Sequence, residues 1–345
     1  MKFKLPKKLN LKHTWFKALA IILLIIALFY LIGFISEILN PPAKKINFGV
    51  TFSPPTAKYL RLDWKEVYLS LLDELNIKKL RVPTYWSRIE PKEGSFDFSE
   101  VDFMLDEAKK RSVEVILVVG IRQPRWPECH QPNWADKLPK KAMQDKTKEF
   151  IKKVIERYDN HPAVTTYQVE NEPLFPVWAV LCDWPDEGFF RSEIKLARGL
   201  TDKKIMTTAS GEWDSWVTQM KLTDVLGISL YREVYNPFLG YFNYPFIPGH
   251  YSLKSNLVRK LFAPNNQKTV ITELQVEPWF GDHDPNALSF DKQIKLFPIA
   301  EFKENVEYAK KTSIDEIYLW GVEWWYFMKQ NGYPEYWDFA TTLFH

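Results

Sequence analysis

The sequence predicts an α/β chain, a single (β/α)8 (TIM) barrel with enlarged βα loops, preceded by one N-terminal transmembrane helix. Three observations carry that reading. Short apolar runs alternate with amphipathic segments from Asn47 onward, the pattern of strands linked by crossover helices. Eight such units are present, which favours closure into a barrel over an open sheet. An uncharged run, Ala18–Ser36, follows a lysine-rich start.

Ala18–Ser36 is built mostly of Ile, Leu, Ala and Phe and is about long enough to span a bilayer. Lys2, Lys4, Lys7, Lys8, Lys12 and Lys17 precede it. By the positive-inside rule residues 1–17 form a cytoplasmic flank, 18–38 a signal anchor, and everything after Glu37 lies outside, in a periplasm or on a cell surface. The competing reading is a cleaved signal peptide. Its apolar core is normally shorter, and no small-x-small site precedes Pro41-Pro42. Residues 39–45, with Asn40-Pro41-Pro42-Ala43-Lys44-Lys45, read as a short stiff linker, and 46–345 as the barrel domain.

Within that domain the expected strands are Asn47–Phe52, Lys79–Val82, Val113–Val119, Val164–Val169, Lys204–Thr208, Val225–Leu230, Thr269–Thr272 and Glu316–Leu319. Val113–Val119 is almost entirely β-branched or Leu, as a parallel strand buried on both faces should be. The expected helices are Trp64–Leu75, Val101–Arg111, Lys146–Tyr158, Arg191–Leu200, Ser252–Phe262, Phe302–Lys311 and Glu335–Phe344. The segment Tyr235–Tyr251, rich in Tyr, Phe, Pro and Gly, reads as a loop walling one side of a cleft.

Composition narrows the partners. The formal net charge is +3 and the charges are interspersed, so no nucleic-acid surface is implied. No H-E-x-x-H motif or His/Asp cluster appears, and no cofactor or metal is expected. Aromatic residues reach 16%, many in expected loops, where their faces suit the apolar faces of sugars. Trp126, Trp134, Trp178, Trp184, Trp279, Trp324 and Trp325 divide between packing and sugar platforms on this reading. Cys129 and Cys182 have no zinc-type or redox spacing. They are either two free thiols or a disulfide between two loops in an oxidising compartment.

Catalytic groups of such barrels sit at the C-terminal strand ends. Strand two carries Arg81, with Trp86 beyond it. Strand three runs into Arg122-Gln123-Pro124-Arg125-Trp126 and His130. Strand four ends in Asn171-Glu172, strand five near Glu212, strand six in Tyr231-Arg232, strand seven in Glu273 and strand eight in Trp320 and Glu323. Two carboxylic acids at the ends of different strands are what glycosidic bond cleavage requires. Glu170, two residues before Glu172, reads as a structural ion pair, and Glu212, Glu233 and Glu323 as support or substrate contacts.

The order Arg, Asn-Glu, Tyr, Glu, Trp on strands two, four, six, seven and eight resembles the clan A retaining glycoside hydrolases. Leu80-Arg81-Val82-Pro83 through Trp86, Glu90-Pro91 and Gly94-Ser95-Phe96-Asp97-Phe98 resemble strand two of family 42 β-galactosidases. Tyr167 through Glu172 resembles strand four of that family, while Pro173 is more like family 5. Gly227-Ile228-Ser229-Leu230-Tyr231 lacks the His that family 5 places before its Tyr. The resemblance implies Glu172 as acid/base, Glu273 as nucleophile and Asn171 as the hydrogen-bond partner of the sugar 2-hydroxyl. It further implies Arg81 and Tyr231 as partners of Glu273, and Trp320 as the floor under the sugar. Trp126, His130 and Glu323 are further expected substrate contacts. The alternatives are a glycan-binding barrel without catalysis and a transglycosylase using the same residues.

Overall fold

The computed structural model of the chain describes residues 11–176, 186–236, 238, 240–265 and 267–345, with side chains from Trp15 onward. Eight strands close a parallel barrel: β1 (Asn47–Thr51), β2 (Lys79–Pro83), β3 (Glu114–Val119), β4 (Val164–Val169), β5 (Lys204–Ala209), β6 (Val225–Leu230), β9 (Lys268–Gln275) and β10 (Glu316–Trp320). They neighbour one another in the order β1-β10-β9-β6-β5-β4-β3-β2. Two further strands, β7 (Glu233–Asn236) and β8 (Gly240–Asn243), pair as an antiparallel hairpin outside the barrel wall.

The main outer helices are α3 (Trp64–Asp73), α5 (Ser99–Lys110), α6 (Lys140–Tyr158), α7 (Glu187–Arg198), α9 (Pro248–Phe262), α11 (Ile299–Lys310) and α13 (Glu335–Phe344). Each lays an apolar stripe on the sheet; α6, for example, buries Phe150, Ile151, Val154, Ile155 and Tyr158. Asp63 and Asp186 cap α3 and α7 by accepting from the backbone of Lys65 and Phe189. Inside the wall a separate apolar cluster, Ile116, Met206, Val225, Val270 and Tyr318, fills the barrel below the site. Arg81 is the register partner of Ile116 and therefore shares its inward face.

Strand β9 breaks the regular pleat. Against β6 its register runs Ile228↔Ile271 and then Ser229↔Glu273. Against β10 it runs Ile317↔Ile271 and then Leu319↔Leu274. It thus holds one residue more than either neighbour over this stretch, a β-bulge around Thr272.

Several expectations change. The Tyr235–Tyr251 loop contains the β7–β8 hairpin and the first turn of α9, which starts at Pro248 rather than Ser252. Proline at N1 or N2 is preorganised to open a helix, a signal overlooked among the neighbouring loop residues. The helix expected from Lys146 starts at Lys140. Trp324 and Trp325 are not loop residues. They lie buried in α12 (Val322–Gln330), and Glu323 is in its first turn. The short helices α2 (Pro54–Tyr59), α4 (Trp86–Ile89), α8 (Val217–Leu222) and α10 (Phe290–Leu296) span too few turns to show a helical period.

The first element, α1 (Leu11–Leu39), includes the stretch Trp15–Leu39, long and apolar enough to cross a membrane. Residues Trp15–Leu28 are exposed, whereas Gly33 and Ser36 are buried against α9. The Phe29 ring stacks on His250 at 4.0 Å, and His250 Nε2 lies 2.9 Å from the Phe29 carbonyl. A Cβ at Gly249 would meet the Gly33 carbonyl oxygen at 1.8 Å, so this crossing requires glycine. Asn256 Nδ2 donates to Asn40 Oδ1 at 2.6 Å, and Ser313 Oγ to the Asn40 carbonyl at 2.5 Å.

Candidate active site

Glu273 enters the barrel mouth from β9 and is 5% exposed. Arg81 Nη1 donates to its Oε1 at 2.8 Å, and the Tyr231 hydroxyl to its Oε2 at 3.0 Å. Arg81 is wholly buried and spends its other nitrogens on the same end of the barrel. Nε donates to Gln168 Oε1 and Nη2 to Asn171 Oδ1, each at 2.7 Å. One guanidinium therefore fixes the strand-four Asn and the strand-nine Glu relative to each other. Thr208 Oγ1 adds a second donor to Asn171 Oδ1 at 2.8 Å.

Glu172 follows β4 in a left-handed backbone conformation, φ 45°, that turns the chain out of the strand. Its backbone N–H donates to Thr208 Oγ1, and its Oε1 accepts from Ser229 Oγ at 2.7 Å. Ser229 is also the register partner of Glu273, so one serine links the two carboxylates across neighbouring positions. Burial pushes the Glu172 carboxyl well above its ordinary range, and the Glu273 and Glu128 charges push it further. The Tyr231 phenol is likewise raised well above its usual value by burial and then by Glu273 and Glu172. Glu212 supports Tyr231 from behind, accepting from its backbone N–H and from the Tyr251 hydroxyl.

A second cluster closes the side above β10. Arg125 bonds Glu277 through Nη1 and Glu323 Oε2 through Nη2 at 2.5 Å. Its guanidinium carbon lies 4.1 Å from the Trp320 ring centroid, a cation–π contact. Glu323 is fully buried and also accepts from the Ser53 N–H. His130 bonds the Arg125 carbonyl, packs on Tyr85 and is pushed by burial down to about 4, so it is neutral near pH 7.

The structure thus brings together Glu172, Glu273, Arg81, Asn171 and Tyr231. Trp320 and Glu323 sit beside them but are engaged by Arg125. His130 braces a loop, and Trp126 stands 71% exposed on the rim. Among the described residues, Glu170 has no cationic hydrogen-bond partner of the expected kind. It accepts from the backbone N–H groups of Ile121 and Arg122 and faces the buried Glu193. Burial raises it to about 7. Cys129 is disulfide-bonded; Cys182, Trp178 and Trp184 lie outside the described residues. Sequence reasoning missed Ser229, Glu128 and Gln168. An inward-facing Ser one pleat before the strand-six Tyr was the signal available for the first.

A family model described as beta-galactosidase matches residues 59–140. The beta-galactosidase BgaA of Clostridium cellulovorans is 23% identical over 167 residues, 42% of this chain and 25% of that protein. The beta-galactosidase LacZ of Lactobacillus acidophilus is 20% identical over 184 residues, 48% of this chain and 27% of that protein. The aligned stretch thus spans about a quarter of these relatives. In fold the chain is similar to a GH5_18 protein of Bifidobacterium longum, with TM-score 0.59 and 13% identity, covering 80% of this chain and 70% of the other. It is also similar to xylanase 10B of Thermotoga maritima, with TM-score 0.54 and 14% identity over 80% and 83% of the two chains. The chain resembles the clan A glycoside hydrolases in its closed barrel and in these matches.

Proposed function

We propose that the protein is a membrane-anchored retaining glycoside hydrolase that cleaves β-glycosidic bonds, with Glu172 as acid/base and Glu273 as nucleophile. One observation carries this reading: two neighbouring buried carboxylates have opposite surroundings. Among the described residues, Glu273 meets a guanidinium and a phenol, while Glu172 meets a single hydroxyl. A carboxyl raised by burial and by a neighbouring charge suits the acid, and one held by a cation and a phenol suits the nucleophile. Glu172, protonated near neutral pH, gives its proton to the leaving oxygen while Glu273 attacks the anomeric carbon. Once Glu273 is esterified its charge is gone, which favours ionisation of Glu172. That residue then takes a proton from the water that releases the sugar. Asn171 and Arg81 orient the pair, and a carboxyl separation of about 5–5.5 Å suits retention.

The apolar α1, the lysines before it and the disulfide at Cys129 together support an extracytoplasmic barrel on an uncleaved anchor. The Gly33–Gly249 crossing supports retention of the helix, because a segment destined for removal has no need of a fitted seat. The names of the relatives make aryl β-galactosides the first substrates to try, followed by glucosides and mannosides.

The test is azide rescue with an aryl β-glycoside that the wild type turns over. Glu273→Ala should yield the α-glycosyl azide, because azide replaces the nucleophile. Glu172→Ala should yield the β-glycosyl azide, because azide intercepts the glycosyl-enzyme. Losing the acid should cost about 10²–10⁴ in rate, least with good leaving groups. Azide products of the reverse configurations would refute the assignment. Sugar binding by wild type without turnover across the panel would point instead to a binding protein.

A further inference from the structure

The way α1 sits on α9 fixes more than attachment. Gly33 crosses Gly249, and Asn40 meets Asn256. Both steps are seven residues, about 10 Å of helix, so the two helices run parallel. The direction follows from what lies at each end. Phe29 packs on Phe246 and His250, which follow the β7–β8 hairpin at the catalytic end of the barrel. Asn40 meets Ser313, in the turn leading into β10 at the opposite end. Helix α1 therefore descends along the barrel from the catalytic face, and its free half, Trp15–Leu28, projects beyond that face.

Length then brings the barrel close to the bilayer. Fourteen free residues reach about 21 Å, whereas the hydrocarbon core is about 30 Å thick. The span has to continue into the docked turns, which carries the catalytic rim into the headgroup layer. The rim is dressed for that place. Trp126, Trp213 and Phe238, on the loops after β3, β5 and β6, are 71%, 60% and 95% exposed. Aromatic side chains favour the membrane–water interface. Among the described residues, the other large exposed apolar side chains of the barrel are Tyr59, at the end of α2, and Leu257, Leu261 and Phe262 on α9.

The aromatic wall also leads to the acid/base. Phe29 touches Phe246 at 5.9 Å between centroids, Phe246 touches Trp213 at 6.1 Å, and Trp213 touches Tyr244 at 5.5 Å. Tyr244 lies near enough to Glu172 and Glu212 for their charges to act on its phenol. The acid protonates the leaving group, so the leaving group points to the side that abuts the membrane helix.

Resting on the membrane-anchored hydrolase reading above, we propose that the barrel stands mouth-down on the outer leaflet and takes as substrate a β-linked sugar carried on a membrane lipid. Glu172 donates its proton to the lipid oxygen as the C1–O bond breaks and the bond from Glu273 to C1 forms. Water then cleaves that ester, giving free sugar and the lipid alcohol.

Two measurements on the full chain in phosphatidylcholine vesicles test this. A bimane label is placed at Phe238→Cys on the rim or at Lys78→Cys at the opposite end, and quenched by lipids spin-labelled near the headgroup. Quenching at least twofold stronger at 238 is expected; equal quenching, or stronger quenching at 78, overturns the orientation. The second measurement compares β-galactosylceramide or β-glucosylceramide in the vesicle with the soluble aryl glycoside of the same sugar. Gly33→Leu, which unseats α1, should cut ceramide turnover at least tenfold and leave aryl turnover unchanged. Equal effects on both, or none, overturn the lipid-substrate assignment. Absence of aryl turnover in wild type would instead refute the hydrolase reading and the lipid substrate with it, while the label result would still decide the orientation.

Discussion

Replacing Ser229 by Ala isolates the contact that distinguishes Glu172 from its neighbour. Ser229 Oγ donates to Glu172 Oε1 at 2.7 Å, and both residues are buried. A hydrogen bond donated to a carboxylate favours the ionised form, so its loss raises the pKa of an acid already pushed up by burial and by Glu273. A hydrogen bond to a charged group contributes about 1.5–3 kcal/mol, and one pKa unit is about 1.4 kcal/mol, which bounds the shift at about 1–2 units. The serine hydroxyl can also accept from the protonated acid, which offsets part of this. The lower end, about one unit, is expected. The assay is the pH profile of kcat/KM on an aryl β-glycoside, whose basic limb reports the acid of the free enzyme. That limb should move to higher pH in Ser229→Ala. A limb that stays in place, or moves to lower pH, would refute the assignment of Glu172 as the titrating acid.

Arg81→Met should unfold at markedly lower denaturant, by about 3–5 kcal/mol, because it leaves Glu273 buried without its cation. Activity should fall with it, even at temperatures where circular dichroism shows the variant folded. The buried Glu170–Glu193 pair predicts a pH-dependent stability. A carboxyl raised to about 7 in the folded state keeps its proton where the unfolded chain has lost it, so stability is full below the ordinary carboxylate range and declines as pH rises through about 7. Glu193→Gln removes one acid of the pair and should flatten that decline in Tm between pH 5 and 8. An unchanged slope would place its origin elsewhere.

The barrel was legible because its strands are unusually apolar. Val113–Val119 announces itself, and Val164–Val169 and Val225–Leu230 were bounded to the residue. Glu172, Glu273, Arg81, Asn171 and Tyr231 were legible because strand ends in a closed barrel must converge. What escaped depends on side chains meeting across the mouth. Nothing in the run Arg122–His130 tells that Arg125 reaches β10 and lies on Trp320. Nor does the spacing of Glu170 reveal that it turns to backbone N–H groups, since its left-handed φ of 59° redirects the chain after β4. The hairpin of Glu233–Asn243 was hidden because polar and aromatic residues without a clean alternation read as loop.

The extra residue in β9 determines which way its carboxylate looks. Val270 and Thr272 share the inward face, so strict alternation would send Glu273 outward among the helices. The irregularity restores it to the lumen beside Ser229. The position of the Glu273 carboxylate is therefore a matter of parity, odd or even, counted from the start of the strand. A gapless superposition of this segment on an unbulged strand would misplace the carboxylate by half a pleat. Losing the bulge while keeping every residue, so that Thr272 stood opposite Ser229, would leave a barrel of the same outline with the Glu273 carboxylate facing the wrong layer.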